Sequence, residues 1–294
     1  MTDSAPPFHP SIALILATFA VSTGAIFVRL ADAPALVTAA FRLGLSILII
    51  APLAWWKSKD ELLAFSRSDL RLAITAGFFL ALHFAAWISS LDYTSVANSV
   101  VLVNTNPLWV GLLMPWITGE RLKRITVISI LVSVMGGVII GIGDFATGGK
   151  ALLGDGLAIC GSICMAVYLL IGRNLRRKFS LLAYVFVCYG SAAAILWIAV
   201  IAMNLPLGGF NSVTIAAFFG MAVVSQVIGH SSYNWSLKWL SPSLIAVCLL
   251  GEPVGSTLMA YFFFHEALTA HKIIGGIIIL SAIYMAAAGE KRKL

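Results

Sequence analysis

Ten apolar stretches of about twenty residues each follow one another along this chain, separated by short loops. A helix of that length crosses the hydrocarbon layer of a bilayer, so a chain built from such stretches folds as a bundle of membrane-crossing helices. The stretches lie at 11–30, 34–56, 71–91, 95–117, 125–143, 153–172, 181–203, 213–236, 242–264 and 272–288. A transmembrane barrel would instead alternate over segments of about ten residues, and this chain does not. Only 11% of its residues are charged and the mean hydropathy is +0.99. A soluble domain carries roughly a quarter charged residues. The loops leave no room for a separate soluble domain. The expected fold is therefore an all-α integral membrane protein that crosses the membrane ten times.

The net charge of +7 fits the membrane better than a nucleic acid, because the basic residues sit in the short loops. With both termini in the cytoplasm, fifteen Lys and Arg fall inside, from Lys57 to Lys293. Only Arg29, Lys150 and Lys272 fall outside, and Arg42 lies within a span. This positive-inside bias supports the even span count and a multi-pass protein of the cell inner membrane. The run "RNLRRK" from Arg173 reads as an inside cluster able to touch anionic lipid. The opening "MTDSAPPFHP" has no basic n-region, so the first apolar run reads as a retained span. Cys160, Cys164, Cys188 and Cys248 fall inside spans without a second ligand pair and read as small core residues; no metal is expected.

The chain also matches itself. With a shift of 146 residues, Asn106-Pro107 falls on Glu252-Pro253, Glu120 on Glu266, and Leu122 on Leu268. One further residue of shift places His83 on His230. The halves, 11–143 and 153–288, hold five spans each. An odd number forces them to enter the membrane from opposite sides, giving an inverted repeat, a construction plan of secondary transporters with the substrate site at the midplane.

At these positions the chain resembles the drug/metabolite transporter superfamily in its ten-span, EamA-type branch. The resemblance rests on Arg42 in "AAFRLGLS", on Pro107 and Pro253 in the fourth and ninth spans, and on Glu120 and Glu266 in "TGERL" and "FHEAL". It rests too on the glycines of "GGVIIG" and "GGIIIL" in the fifth and tenth spans. The second half carries no counterpart of Arg42. Within the family the chain is similar to exporters of aromatic amino acids and methyl viologen. The resemblance implies alternating access around one central cavity, with amino acids and related metabolites as substrates and cationic drugs or other small metabolites as the alternative.

The polar residues inside the spans are the candidate site. Glu252 is the sole formal charge between Pro242 and Phe264 and lies roughly 15 Å from either end of its span. A charge at that depth costs about 2.5–3.5 kcal/mol. Pro253 frees the carbonyl of Leu249, and broken backbone there needs protein or a water-filled cavity beside it. Glu252 reads as a group for a substrate ammonium or a proton, or as a neutral carboxyl bonded to a neighbouring helix. Asn104, Thr105 and Asn106 hold the matching place before Pro107 and suit either a substrate or interhelical bonds. His83 and Trp87 share a helix face, and His230 and Asn234 repeat the spacing. Trp109 and Tyr168 are further wall or gate residues. Pro107 and Pro253 are hinge candidates. Arg42, Glu120 and Glu266 read as structural or gating: Arg42 attracting anions at the outer mouth, pairing with Asp32 or Asp92, or snorkelling to the surface. Trp55, Trp56, Trp116, Trp235 and Trp239 read as belt anchors.

No catalytic spacing appears. "GHSSY" from Gly229 lacks the final glycine of a nucleophile elbow, and there is neither an HExxH nor a Walker loop. No TVGYG-type filter suggests a channel. No cofactor is expected, the partners are a small molecule and membrane lipid, and a monomer is the simplest assembly. "GEPVG" from Gly251 has the GxxxG form, but Pro253 within it points to a hinge rather than a dimer.

Overall fold

Segments that are apolar on every side can only be buried or face lipid, and in lipid every backbone N–H and C=O must be bonded within the protein. The helix solves this locally. The protein's structure, a computed structural model, describes residues 6–7, 9–94, 96–141, 150–265 and 267–291. Among these the regular structure is entirely helical. The first three spans are α1 (Pro10–Leu30), α2 (Ala35–Leu63) and α3 (Arg67–Ser90). The fourth is two pieces, α4 (Val96–Val103) and α5 (Asn106–Ile117). Next come α6 (Arg124–Gly141), α7 (Lys150–Arg176) and α8 (Leu181–Ala202). The eighth span runs from α9 (Ser212–Gly220) through a π-helical stretch, Met221–His230, into α10 (Ser231–Ser236). The ninth is broken again, into α11 (Pro242–Leu249) and α12 (Gly251–Phe264), and α13 (Ala270–Lys291) closes the chain. Nine of these runs are long and apolar enough to cross a membrane, and α6 is a shorter tenth.

Helix starts follow local chemistry. Ser66, Ser180, Asn211 and Ser241 each accept a hydrogen bond from a backbone N–H in the first turn of the helix they precede. Large apolar side chains such as Ile198, Leu112 and Phe262 stand exposed around the bundle, where lipid would cover them. Trp116, 86% exposed, lies among them. Cys164, Cys188 and Cys248 are buried, but Cys160 is exposed, against the core reading for all four. The second span outlasts its expected end at Trp56. Its helix runs on to Leu63 across a kink at Ser58, so Lys57 and Lys59 sit on helix rather than in a loop.

Packing pairs distant spans. α2 lies mainly against α8, α3 against α7, and α6 against α13. α1 packs on the π-helical stretch and on α12, while α7 packs on α4 and α5. The α6–α13 contact is a glycine crossing: a Cβ at Gly136 would come within 2.9 Å of the Gly275 carbonyl, and one at Gly275 within 2.6 Å of the Gly136 carbonyl. Only glycines allow backbones this close.

The cluster from Arg173 is more structural than its sequence suggests. Arg173 and Arg176 are buried. Arg173 donates to the Leu237 carbonyl and Arg176 to those of Asn234 and Phe179, while Lys178 pairs with Asp69 at 2.8 Å. A guanidinium carries five donors, so it can satisfy the free carbonyls where helices end as well as set topology.

Candidate functional site

Two broken spans meet near the middle of the bundle. Pro107 cannot donate to the Val103 carbonyl, nor Pro253 to that of Leu249, and each helix restarts within a few residues of its proline. On the fourth span the break is covered from within. Asn104 donates to the Val100 carbonyl at 2.9 Å, Thr105 to that of Leu102 at 2.6 Å, and Asn106 to that of Val103 at 3.5 Å. On the ninth span the nearest side-chain hydroxyls come from α1. Thr18, bonded to its own Leu14 carbonyl at 2.9 Å, lies 3.3 Å from the Cys248 carbonyl, and Ser22, bonded to the Thr18 carbonyl at 2.7 Å, lies 3.4 Å from that of Glu252.

Between these breaks lies a cavity. Its walls include Arg42 from α2, His83, Phe84 and Trp87 from α3, Asn104 and Asn106 from the fourth span, His230 from the eighth and Glu252 from the ninth. Val21, Val103, Met165 and Leu249 supply apolar surface. The volume is about 20 Å³, room for a single water. Small-molecule sites enclose roughly 300–1,000 Å³, so the cavity in this conformation is far smaller than such a site.

The walls are polar and incompletely bonded. Trp87 Nε1, His230 Nδ1 and Asn106 Oδ1 are buried without a hydrogen-bond partner. His83 Nδ1 lies 2.9 Å from the Gly161 carbonyl, which can only accept. His83 must therefore donate through Nδ1, and its Nε2 is left as an acceptor when the ring is neutral. The His83 and Trp87 rings stack at 6.2 Å, and the Phe84 ring stands 5.2 Å from that of His230.

Arg42 is 2% exposed. Its Nε donates to Gln226 Oε1 at 2.9 Å, and its guanidinium carbon lies 4.0 Å above the Phe84 ring. That enclosure overturns the expectation of an outer-mouth, surface-snorkelling or Asp-paired arginine. Glu252 is half-buried and, among the described residues, its carboxylate has no hydrogen-bond partner. It attracts Arg42 across the cavity.

Six expected residues thus line one cavity: His83, Trp87, Asn104, Asn106, His230 and Glu252. Three others do not reach it. Asn234 turns to Tyr168 and Tyr189, donating to both hydroxyls in a buried cluster behind His230. His230 leads with helical backbone directly into α10, so the two share a helix side, and the Asn234 amide is held back by the two tyrosine hydroxyls. Trp109 packs against the core with its Nε1 buried and unpaired. Glu120 sits at the basic end, ion-paired with Arg173 at 3.1 Å and Arg177 at 2.8 Å. That end opens into a cleft of about 330 Å³ bounded also by Arg121, Lys123 and Trp239. Glu266 lies outside the described residues.

The sequence reading missed Phe84, Gln226 and the α1 hydroxyls. Gln226 stands four residues before His230, and Thr18 and Ser22 are also four apart; polar spacing within apolar spans was the available signal.

A family model described as the EamA-like transporter family matches residues 10–142 and again 152–288. The chain belongs to the EamA-like transporter family. This EamA-like chain is 27% identical over 254 residues to an "Uncharacterized transporter" of Archaeoglobus fulgidus, covering 83% of this chain and 86% of the relative. It is 25% identical to the "Uncharacterized transporter YyaM" of Bacillus subtilis, covering 95% and 94%. A solved crystal structure shares its fold with a TM-score of 0.77 at 19% identity, covering 96% of this chain and 98% of the other. The protein is a multi-pass membrane transporter.

Proposed function

We propose that this transporter is a secondary carrier that exports amino acids and related metabolites, aromatic ones among them, across the inner membrane by alternating access. The observation that carries the reading is the cavity lined by residues from both parts of the chain, with unpaired polar atoms and aromatic rings on its walls. Buried polar groups left unbonded are costly, and a carrier recovers the cost when substrate binds.

The helix pairing supports an inverted repeat. A two-fold axis that exchanges each span with the one five places on would leave the α2–α8 and α6–α13 pairs in place. It would carry the α3–α7 contact onto that of α1 with the eighth span, and the contact of α7 with the fourth span onto that of α1 with the ninth. All these pairs occur. With both termini in the cytoplasm, the Glu120–Arg173–Arg177 ion pairs form a latch between the halves on the cytoplasmic side. Pro107 and Pro253 act as the hinges. Trp109, Tyr168 and Asn234 back the walls and join the site when it opens.

A carboxylate without a hydrogen-bond partner beside aromatic rings favours a second reading, export of flat organic cations of the methyl viologen type. Proteoliposome flux separates the two. The first reading predicts saturable uptake of labelled aromatic amino acids, inhibited by unlabelled ones. Absence of saturable amino-acid flux from folded protein, with saturable methyl viologen flux in its place, would establish the second.

A further inference from the structure

Two opposite charges face one cavity of this protein from different halves of the chain. Arg42 comes from α2 and Glu252 from the restart of the broken ninth span. Neither charge is saturated. Among the described residues Arg42 makes one side-chain hydrogen bond, to Gln226, out of five available donors, and the Glu252 carboxylate makes none. Two charges at the middle of a membrane protein are expensive, and a pair kept only for structure would be expected to close on itself with its lone pairs and protons satisfied. This pair does not close: Gln226 and the Phe84 face hold the guanidinium, and among the described residues the carboxylate lines the same cavity without an ion pair to it.

We propose that Arg42 and Glu252 form a split site for a zwitterion, Arg42 taking the substrate's α-carboxylate and Glu252 its α-ammonium. This inference rests on the amino-acid reading above and gives it a chemical rule. A zwitterion brings one partner to each wall charge and leaves the net charge of the site unchanged. A substrate with an ammonium alone leaves the guanidinium uncompensated, and one with a carboxylate alone leaves Glu252 so. Dispersion contact with His83, Phe84 and Trp87 then holds the substrate's side chain, and Trp87 Nε1 and Asn106 Oδ1 supply a spare donor and acceptor.

The test is competition against counterflow of labelled phenylalanine in proteoliposomes, by phenylalanine, phenethylamine and 3-phenylpropionate. A parallel set uses leucine, isoamylamine and 4-methylpentanoate. In the unmodified protein each single-charge analogue is expected to compete at least about tenfold less well than its zwitterion. In Arg42→Gln the discrimination against the amine should vanish while that against the acid remains. In Glu252→Gln the reverse should hold. Saturable phenylalanine flux with all three analogues competing equally overturns the zwitterion site and leaves the amino-acid reading standing. Amine and methyl viologen flux without any amino-acid flux overturns both. The wild-type panel decides even if a variant fails to fold. Variants that fold but keep the wild-type ranking show that neither charge reads the substrate, and they overturn the assignment.

Discussion

The fourth and ninth spans break at the same relative place, yet they are held in different ways. The fourth meets its freed Val103 carbonyl with its own Asn106, adds side-chain bonds from Asn104 and Thr105 in the turn before it, and carries no charge at the break. The ninth offers Glu252, and the Cys248 and Glu252 carbonyls at its break face the Thr18 and Ser22 hydroxyls of α1. The polar groups of one break bond mainly to their own span, and those of the other face a neighbouring helix. A backbone motif repeated twice along a chain therefore carries amides in one copy and a carboxylate in the other.

The sharpest way to break this contrast is to remove the polar group from each wall. Losing a hydrogen bond to a charged partner costs about 1.5–3 kcal/mol and to a neutral one about 0.5–1.5 kcal/mol. Glu252→Ala should therefore lower amino-acid flux about 10- to 100-fold, against about 2- to 10-fold for Asn106→Ala. Equal losses would remove the asymmetry.

Stability probes the second half of the contrast. Thr18→Val takes away a 2.9 Å partner of the buried Tyr233 hydroxyl and a contact with the Cys248 carbonyl. Stranding a buried hydroxyl costs about 1–3 kcal/mol, whereas Thr105→Val removes a bond to the Leu102 carbonyl, which keeps its backbone donor, and a 3.1 Å contact with Ser162, together worth about 1 kcal/mol. Thermal unfolding in detergent should rank Thr18→Val as clearly the worse, and the opposite ranking would make the ninth span the self-contained one.

A smaller effect is expected from the hinges. Pro253→Ala restores a donor for the Leu249 carbonyl and should slow flux about two- to tenfold with thermal stability kept or raised. Pro107→Ala should slow it less, since that break is already bonded from within. The least effect belongs to Trp116→Ala on the exposed rim, which should change unfolding free energy by under about 0.5 kcal/mol.

Much of this was legible in the sequence, because the features that set it are local. Span length follows from hydropathy, the two breaks from Pro107 and Pro253, and the common wall of His83 and Trp87 from their spacing of four. What was not legible depends on neighbours. The π-helical stretch from Met221 follows Gly220 and contains Gly229, but glycine alone does not mark a π-helix; hydroxyls from other spans meet it, Ser46 lying 3.1 Å from the Ala222 carbonyl and Thr23 2.9 Å from the Ser225 hydroxyl. His230 reaches the cavity, while the Tyr168 and Tyr189 hydroxyls hold Asn234 behind it. Arg42 reads as a mouth or latch residue on its own strand of sequence; only Gln226 and Phe84, from two other spans, fix it at the centre. Arg173 and Arg176 look like loop charges until the helix ends they bond are known.

The central claim is a pocket at half-depth that each side of the membrane reaches in turn. It is tested most directly by placing Asn106→Cys and, separately, Glu252→Cys in a background with the four native cysteines replaced. A small membrane-impermeant thiol reagent is then applied to right-side-out or to inside-out vesicles. The account predicts labelling of both positions from either face, slowed by an amino-acid substrate. Labelling from one face only, or from neither, would contradict it.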